Sequence, residues 1–582
     1  MPNDRRAAIA RPYVPAAAEQ ARRITAAFAL LVAAFLLYAG AFIYRTSFVV
    51  GGERYFSLFD DAMVSMRYAR NFAQGHGLVW NAGGERVEGY TNPLWVVYMS
   101  LVHLLPISES KTSLAVQITE ALLLAVNLLY VRRIALAVTG GVAAVALGAA
   151  ALTASYLPIN YWSLEGMEVG ALLPLISVCC WQAIRSLDTG EFPRRLYVLL
   201  AVGVLVRLDM AVAFAAFLLF FLVVDPVRRR LHVGWGVPLL VVAVAAQTLF
   251  GWWYYGDALP NTYYLKLTGV PPLLRITRGA YVFAQFVCHA NPLVFLLAFA
   301  VALRRDKRIT LLWWLIAIQM AYSIYVGGDA WEYWGGSNRF ITIVMPEFFV
   351  LLAYALYLLI PALVGRVRRE SAARERSPRR LAWMFAAALV YAAVSLNSIH
   401  GPGALAEMLL IRAPLHTGSG GENQRDVAQA LMLRRLTDPN ASVAVMRAGT
   451  VPYFSNRPAV DMLGKSDRYI AERADAEQRS SVRDFRPGHM KFDFAHSIGT
   501  LQPDVIVQLR QRTDRARPFL SGYEDRLLDG QCSYFRRGSE RILWVRITAS
   551  RCSDALRNQT DHPAGSSSNR ASGLLHGVIA GS

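Results

Sequence analysis

The sequence predicts an α-helical polytopic membrane protein of about eleven spans, followed by a C-terminal extracytoplasmic α/β domain. Three observations carry this reading. Hydrophobic residues make up 55% of the 582 and charged residues only 17%, whereas a soluble protein carries about a quarter charged residues. Up to about residue 400 the chain is a series of apolar runs separated by short polar loops, and a run of roughly 20 such residues crosses a bilayer as a helix. After Asn397 it becomes ordinary globular sequence, with Gly401, Pro402 and Gly403 at the break. The expected domains are a cytoplasmic segment 1–25, a membrane domain 26–400 with an outer loop 45–112, an α/β domain 401–552, and a polar tail 553–582 whose composition is that of a disordered segment.

The run 26–44 follows Arg22 and Arg23 and reads as an uncleaved helix with its N-terminus inside. Further spans are expected at 113–131, 142–159, 169–183, 233–250, 281–303, 309–326, 340–361 and 381–397. Arg132 and Arg133, Arg185 with Arg194 and Arg195, Arg228 to Arg230, and the clusters within 304–308 and 366–380 mark cytoplasmic loops. This parity makes the short run 93–105 an interfacial helix on the outer side. It also splits the long run 196–224 into two short helices that meet at the outer face, at Arg207 and Asp209. The formal charge of +19 is spread over these loops, which argues against a nucleic-acid partner. The five cysteines have no metal-site spacing. Cys532 and Cys552 fall in the outer domain, where a bridge between neighbouring strands and two free thiols are both open.

With these sides fixed, every acidic or mixed-charge motif of the first 400 residues lies outside. Charges at membrane depth are costly and face a cavity or a partner, so the one-sidedness predicts a single outward-facing pocket. Asp60 and Asp61 open an amphipathic stretch directly after the first span. Adjacent acids there suit a general base and a group that positions substrate or a divalent cation, or else helix capping. Glu88 in VEGYTNP joins the pocket or caps its turn. Glu165 and Glu168 are expected on one helical face. Arg207 and Asp209 interrupt an apolar run. Lys266 sits among tyrosines and suits a phosphate as a point charge. Asp329, Glu332 and Arg339 share a loop with Trp331 and Trp334; carboxylates and aromatics suit sugar hydroxyls and faces, and arginine suits phosphate.

The segments FDDAM…GLVWN…GERVEGYTNPLW, YYGDALPNTYYLKLTG and GGDAWEYW…RF, with AGTVPYFSNRPAVDMLGKSDRYIA, PGHMKFDF and QPDVIV further on, resemble lipid-linked-sugar glycosyltransferases of the GT-C class. They are most similar to the mycobacterial terminal β-(1→2)-arabinofuranosyltransferase and its bacterial relatives, over roughly residues 55–510. The resemblance implies a multi-pass enzyme of the bacterial inner membrane with a periplasmic site, a polyprenyl-phosphate sugar donor, a glycan or lipid-glycan acceptor, and inversion at the anomeric carbon. By that pattern Asp60 and Asp61 are catalytic, with Asp60 preferred as base and a divalent cation conceivable on Asp61. The loop between Asp329 and Arg339 is longer than the pattern, which leaves acceptor specificity open.

In the C-terminal domain, residues 424–436 read as a helix, and 443–446, 504–509 and 541–547 as strands. His489 in PGHMKFDF faces the acceptor or shapes a turn. The rival function is a transporter or lipid flippase, which predicts internal repeats and broken helices at the midplane. No convincing repeat is present, and the charges gather at one surface.

Overall fold

The structure is a computed structural model that describes residues 15–330, 332, 338–367, 378–398, 421–473, 481–509, 512–528, 530–548 and 550–552. The expectations for the tail, for Trp331 and Trp334, and for the break at 401–403 lie outside the described residues.

The membrane half runs α1 (Pro15–Thr46), α2 (Asp60–Ala73), α3 (Pro93–His103), α4 (Glu109–Thr139), α5 (Ala143–Ala154), α6 (Leu157–Leu164), α7 (Val169–Thr189), α8 (Arg194–Val206), α9 (Met210–Val224), α10 (Arg229–Tyr255), α11 (Asn261–Leu267), α12 (Pro272–His289), α13 (Pro292–Ala300), α14 (Lys307–Val326), α15 (Arg339–Thr342), α16 (Met345–Val367) and α17 (Pro378–Asn397). A short hairpin, β1 (Phe48–Val50) and β2 (Glu53–Tyr55), precedes α2. Left-handed glycines at 140, 190, 256 and 327 terminate α4, α7, α10 and α14, the conformation that only glycine adopts cheaply at a helix C-terminus.

Among the described residues, seven helices are long and apolar enough to cross a membrane, or nine if each of two bent pairs is one span. The pairs are α5 with α6, bent by 53°, and α12 with α13, bent by 89°. Against the expected count of about eleven, length and composition give seven to nine among the described residues. Helices α8 and α9, of 13 and 15 residues, are the two short helices expected in 196–224 and are not in that count. They part at Arg207, whose backbone is extended. The run 93–105 is a separate helix of 11 residues, α3, with Leu94, Val97 and Leu101 exposed.

The predicted inner basic clusters meet at one end of the bundle. Arg308 donates to Ala137 O (2.8 Å) and lies 3.6 Å from Asp188, while Lys307 reaches Val224 O. The opposite end carries α2, α3, α11, α15 and the α/β domain.

That domain comprises α18 (Glu422–Leu436), β3 (Val443–Val445), α19 (Thr450–Ser455), β4 (Ala459–Asp461), α20 (Arg468–Glu472), β5 (Val505–Ile506), α21 (Thr513–Ala516), β6 (Tyr523–Leu528) and β7 (Gln531–Arg536). The sheet order is β4-β3-β5-β7-β6, parallel across β4-β3-β5 and antiparallel across β5-β7-β6. The expected strand at 541–547 is instead a 3-10 turn, Trp544–Arg546, with one bridge from Thr437 to Ile542. Cys532 on β7 is bonded to Cys552, with Cα atoms 5.9 Å apart.

Polar residues of α2 seat the domain on the bundle. Asp60 Oδ1 accepts the Thr450 N–H (2.9 Å), Arg67 donates to Pro452 O, and Arg70 donates to Tyr453 O (2.7 Å). Gly449 lies so close that any Cβ there would overlap the Asp60 carbonyl.

Candidate active site

The two adjacent acids of α2 diverge because successive helical residues point about 100° apart. Asp61 lines a cavity of about 70 Å³ at the domain end of the bundle. Asp60 is not among its lining residues and is occupied with the α/β domain, where Arg447 Nε also lies 3.8 Å away. Of the two acids, Asp61 lines the cavity, while the Asp60 carboxylate, preferred as base from the sequence, anchors a neighbouring element.

The cavity gathers charged groups from six places in the chain: Asp61 from α2, Glu168 from the start of α7, Arg207 from the α8–α9 break, Lys266 from α11, Asp329 with Arg339 from either side of the loop before α15, and Lys465 from the α/β domain. Arg339 grips Asp329 with two hydrogen bonds, Nε to Oδ2 at 2.6 Å and Nη2 to Oδ1 at 2.9 Å, and reaches Asp61 Oδ2 at 3.3 Å. Arg207 is held by Glu168 at 2.7 Å and Asp209 at 3.0 Å, with its guanidinium 4.9 Å from the centre of the Phe340 ring. Asn92 donates to the other Glu168 oxygen at 2.9 Å. Lys266 makes no ion pair among the described residues; its ammonium lies 5.8 Å from the centre of the Phe340 ring. Glu332 braces the loop, accepting from the Asp329 N–H (3.0 Å) and Asn338 (2.9 Å) and pairing with Arg278 at 2.8 Å.

Glu165 is not brought into the cavity. The one-face expectation fails because no helix spans the pair: Glu165 ends α6, Gly166 is left-handed, and Glu168 starts α7. Glu165 is fully buried, and its carbonyl accepts the Phe59 N–H. Glu88 and Asp209 line a second cavity of about 200 Å³ between α10 and α14. Its walls are largely apolar or aromatic, among them Leu208, Leu267, Tyr322 and Val326. Arg207, Lys266, Thr91, Thr262 and Phe340 line both cavities and so form their junction.

The electrostatics follow from burial and pairing. Burial pushes the Asp61 carboxyl up, but Lys465 and Arg339 hold it well below the ordinary carboxylate range. Asp329 is likewise held down, against its burial, by Arg339. Burial and the neighbouring Arg339 and Arg207 bring Lys266 down to about 8. Burial and Asp257 push Glu88 up to about 8, and burial pushes Glu332 up to about 7 against the pull of Arg278. His489 lines the cavity and, through burial and Lys465, falls to about 4, so it is neutral at pH 7.

Lys465 is the residue that sequence reasoning missed. Its Nζ contacts Asp61 Oδ1 from the α/β domain, 404 positions away. The only signal was its place inside the stretch AGTVPYFSNRPAVDMLGKSDRYIA. With Lys465 and Arg339 already on Asp61, the donor set does not fit a divalent cation there. Among the described residues no three His, Cys, Asp or Glu side chains gather as a metal group.

ArnT from Cupriavidus metallidurans bound to undecaprenyl phosphate superposes with a TM-score of 0.52 at 13% identity, over 88% of this chain and 98% of that one. The apo oligosaccharyltransferase of Archaeoglobus fulgidus superposes with a TM-score of 0.53 at 12% identity, over 89% of this chain and 75% of that one. The chain has the GT-C fold. Its GT-C membrane half carries Asp61 on α2, in the first loop after a span, and its C-terminal residues 416–550 match a family described as a domain of unknown function, DUF8728. Among curated proteins none matches the chain in sequence.

Proposed function

We propose that the protein transfers a sugar from a polyprenyl-phosphate donor to a hydroxyl of a glycan or lipid-glycan acceptor, with inversion, at the outer face of a bacterial inner membrane. The observation that carries this is the junction of the two cavities. A polar space lined by Asp61, Glu168 and Asp329 meets a largely apolar space between membrane helices, and Arg207 and Lys266 stand where they join. A lipid-linked sugar phosphate has the same order of parts: tail, phosphate, sugar.

In this reading the tail lies between α10 and α14 and the phosphate rests on Lys266 and Arg207. Asp61 accepts the proton of the acceptor hydroxyl as its oxygen bonds to the anomeric carbon. The bond from that carbon to the phosphate oxygen breaks on the opposite face, and the lipid phosphate departs with both electrons. Fixed cations in a water-poor site stabilise that developing charge without reorganising. Arg339 holds Asp329 and Asp61 in one frame. Undecaprenyl phosphate in the ArnT structure and dolichol phosphate in the AglB oligosaccharyltransferase of Archaeoglobus fulgidus, of TM-score 0.50 at 11% identity over 88% of this chain and 74% of that one, support a lipid-phosphate substrate by fold analogy. The first-loop resemblance to terminal arabinofuranosyltransferases points the same way.

The test is incorporation of labelled sugar from a set of polyprenyl-phosphate sugars into an extractable glycan by the purified protein. Transfer with at least one donor, giving the inverted anomer, is expected. No transfer from any donor, together with movement of intact lipid across vesicle leaflets, favours the flippase.

A further inference from the structure

Resting on the glycosyl-transfer reading, we propose that Lys465 is a positioning residue for the base: it fixes a charged Asp61 carboxylate in the cavity. The C-terminal domain thereby completes the site of the membrane half.

Lys465 is built into place rather than lying on the surface. Its loop is a turn tied by Asp461, whose Oδ1 accepts the Leu463 N–H (3.0 Å) and the Gly464 N–H (3.2 Å) and whose Oδ2 accepts the Ser466 N–H (2.8 Å). Gly464 is left-handed, and a Cβ there would sit 2.7 Å from Ile470 Cγ2. From the membrane side, the buried Asn261 amide donates to the carbonyls of Gly464 (2.7 Å), Lys465 (3.0 Å) and Asp467 (3.1 Å). The Asn261 N–H donates in turn to Glu88 O. Gly89 closes the clamp: a Cβ there would come within 2.9 Å of Lys465 O. Two segments distant in sequence, at Asn261 and Gly89, therefore meet one lysine backbone in a turn tied by Asp461, and its side chain ends on Asp61.

The groups facing Asp61 are Lys465 from this loop, Arg339 from α15, His489 from the domain, Asp329 beside Arg339, and Tyr161 from α6. Arg339 divides itself between Asp329 and Asp61, and His489 is neutral at pH 7. Lys465 is thus the cation given to Asp61 alone among the ion pairs of the described residues. Removing it leaves Asp61 paired with Arg339 alone, at 3.3 Å, and takes away the contact that holds its other oxygen.

The experiment uses the full chain and the donor on which wild-type protein is active. In Lys465→Met, kcat falls by about 10-fold or more, as misplacement of a catalytic group does, while donor KM changes little. Lys465→Arg restores kcat towards wild type. Asn261→Ser, which frees the loop but keeps the lysine, lowers kcat in the same way, and melting curves verify that each variant is folded. An unchanged kcat in folded Lys465→Met, or a loss confined to donor KM, overturns the proposal and leaves an ordinary interdomain ion pair. A wild-type protein that transfers no sugar overturns the transfer reading itself, before any variant is made.

Discussion

Replacing Asp61 by Asn keeps shape and removes proton acceptance. The expected outcome is a folded protein whose transfer rate falls by about 10²- to 10⁴-fold, the usual contribution of a general base. Asp60→Asn retains an acceptor for the Thr450 N–H, so near-normal turnover is expected. Asp60→Ala strands that buried N–H and costs about 1–3 kcal/mol of stability, read as a lowered melting temperature. Lys266 gives a pH signature. Its ammonium titrates near 8, so it is charged below that value and loses its attraction for phosphate above it. Donor KM is expected to rise as pH passes through about 8, and to stay flat over that range in Lys266→Arg, since arginine keeps its charge. Much of this site was legible because charges such as Arg207 and Lys266 interrupt apolar or aromatic text, where a bland reading is expensive. The choice between Asp60 and Asp61 was not legible, because it depends on which side of α2 meets α19. Lys465 was not legible either, because only the tertiary fold brings it to Asp61.

At the scale of elements, helices α12 and α14 meet at Gly279, where any Cβ would overlap the Ile324 carbonyl. Small residues permit such close approach between membrane helices. Gly279→Val is expected to push α12 off α14 and cost about 1–3 kcal/mol, as overpacking does, which detergent-solubilised melting would detect. Helix positions were legible because each apolar run is long enough to declare itself. The strands of the C-terminal domain were less so, since several are only two or three residues long. The pair β6 and β7 was not read from the sequence, because its residues are of mixed polarity. The run 541–547 has strand composition, yet tertiary contacts hold it as a turn, because β-propensity reports a fit to neighbours more than a backbone preference.

For the whole molecule, the arginine-rich ends of α4, α7, α9 and α14 gather at one end and the site at the other. With the basic end in the cytoplasm, a cytoplasm-only reporter fused after residue 369 should be active and one after residue 397 silent; the opposite pattern would put the cavity on the wrong face for a periplasmic glycan. An outer placement also suits the Cys532–Cys552 bond, which persists in oxidising compartments. Thiol labelling of denatured, unreduced protein should leave that pair unreacted. The central claim is that the two cavities hold one lipid-linked sugar phosphate, with its phosphate at their junction. The most direct measurement is a structure of the protein soaked with polyprenyl phosphate. The phosphate is expected within hydrogen-bond reach of Lys266 and Arg207, with the tail between α10 and α14. A phosphate bound away from both cations, or a tail on another face of the bundle, would contradict the account.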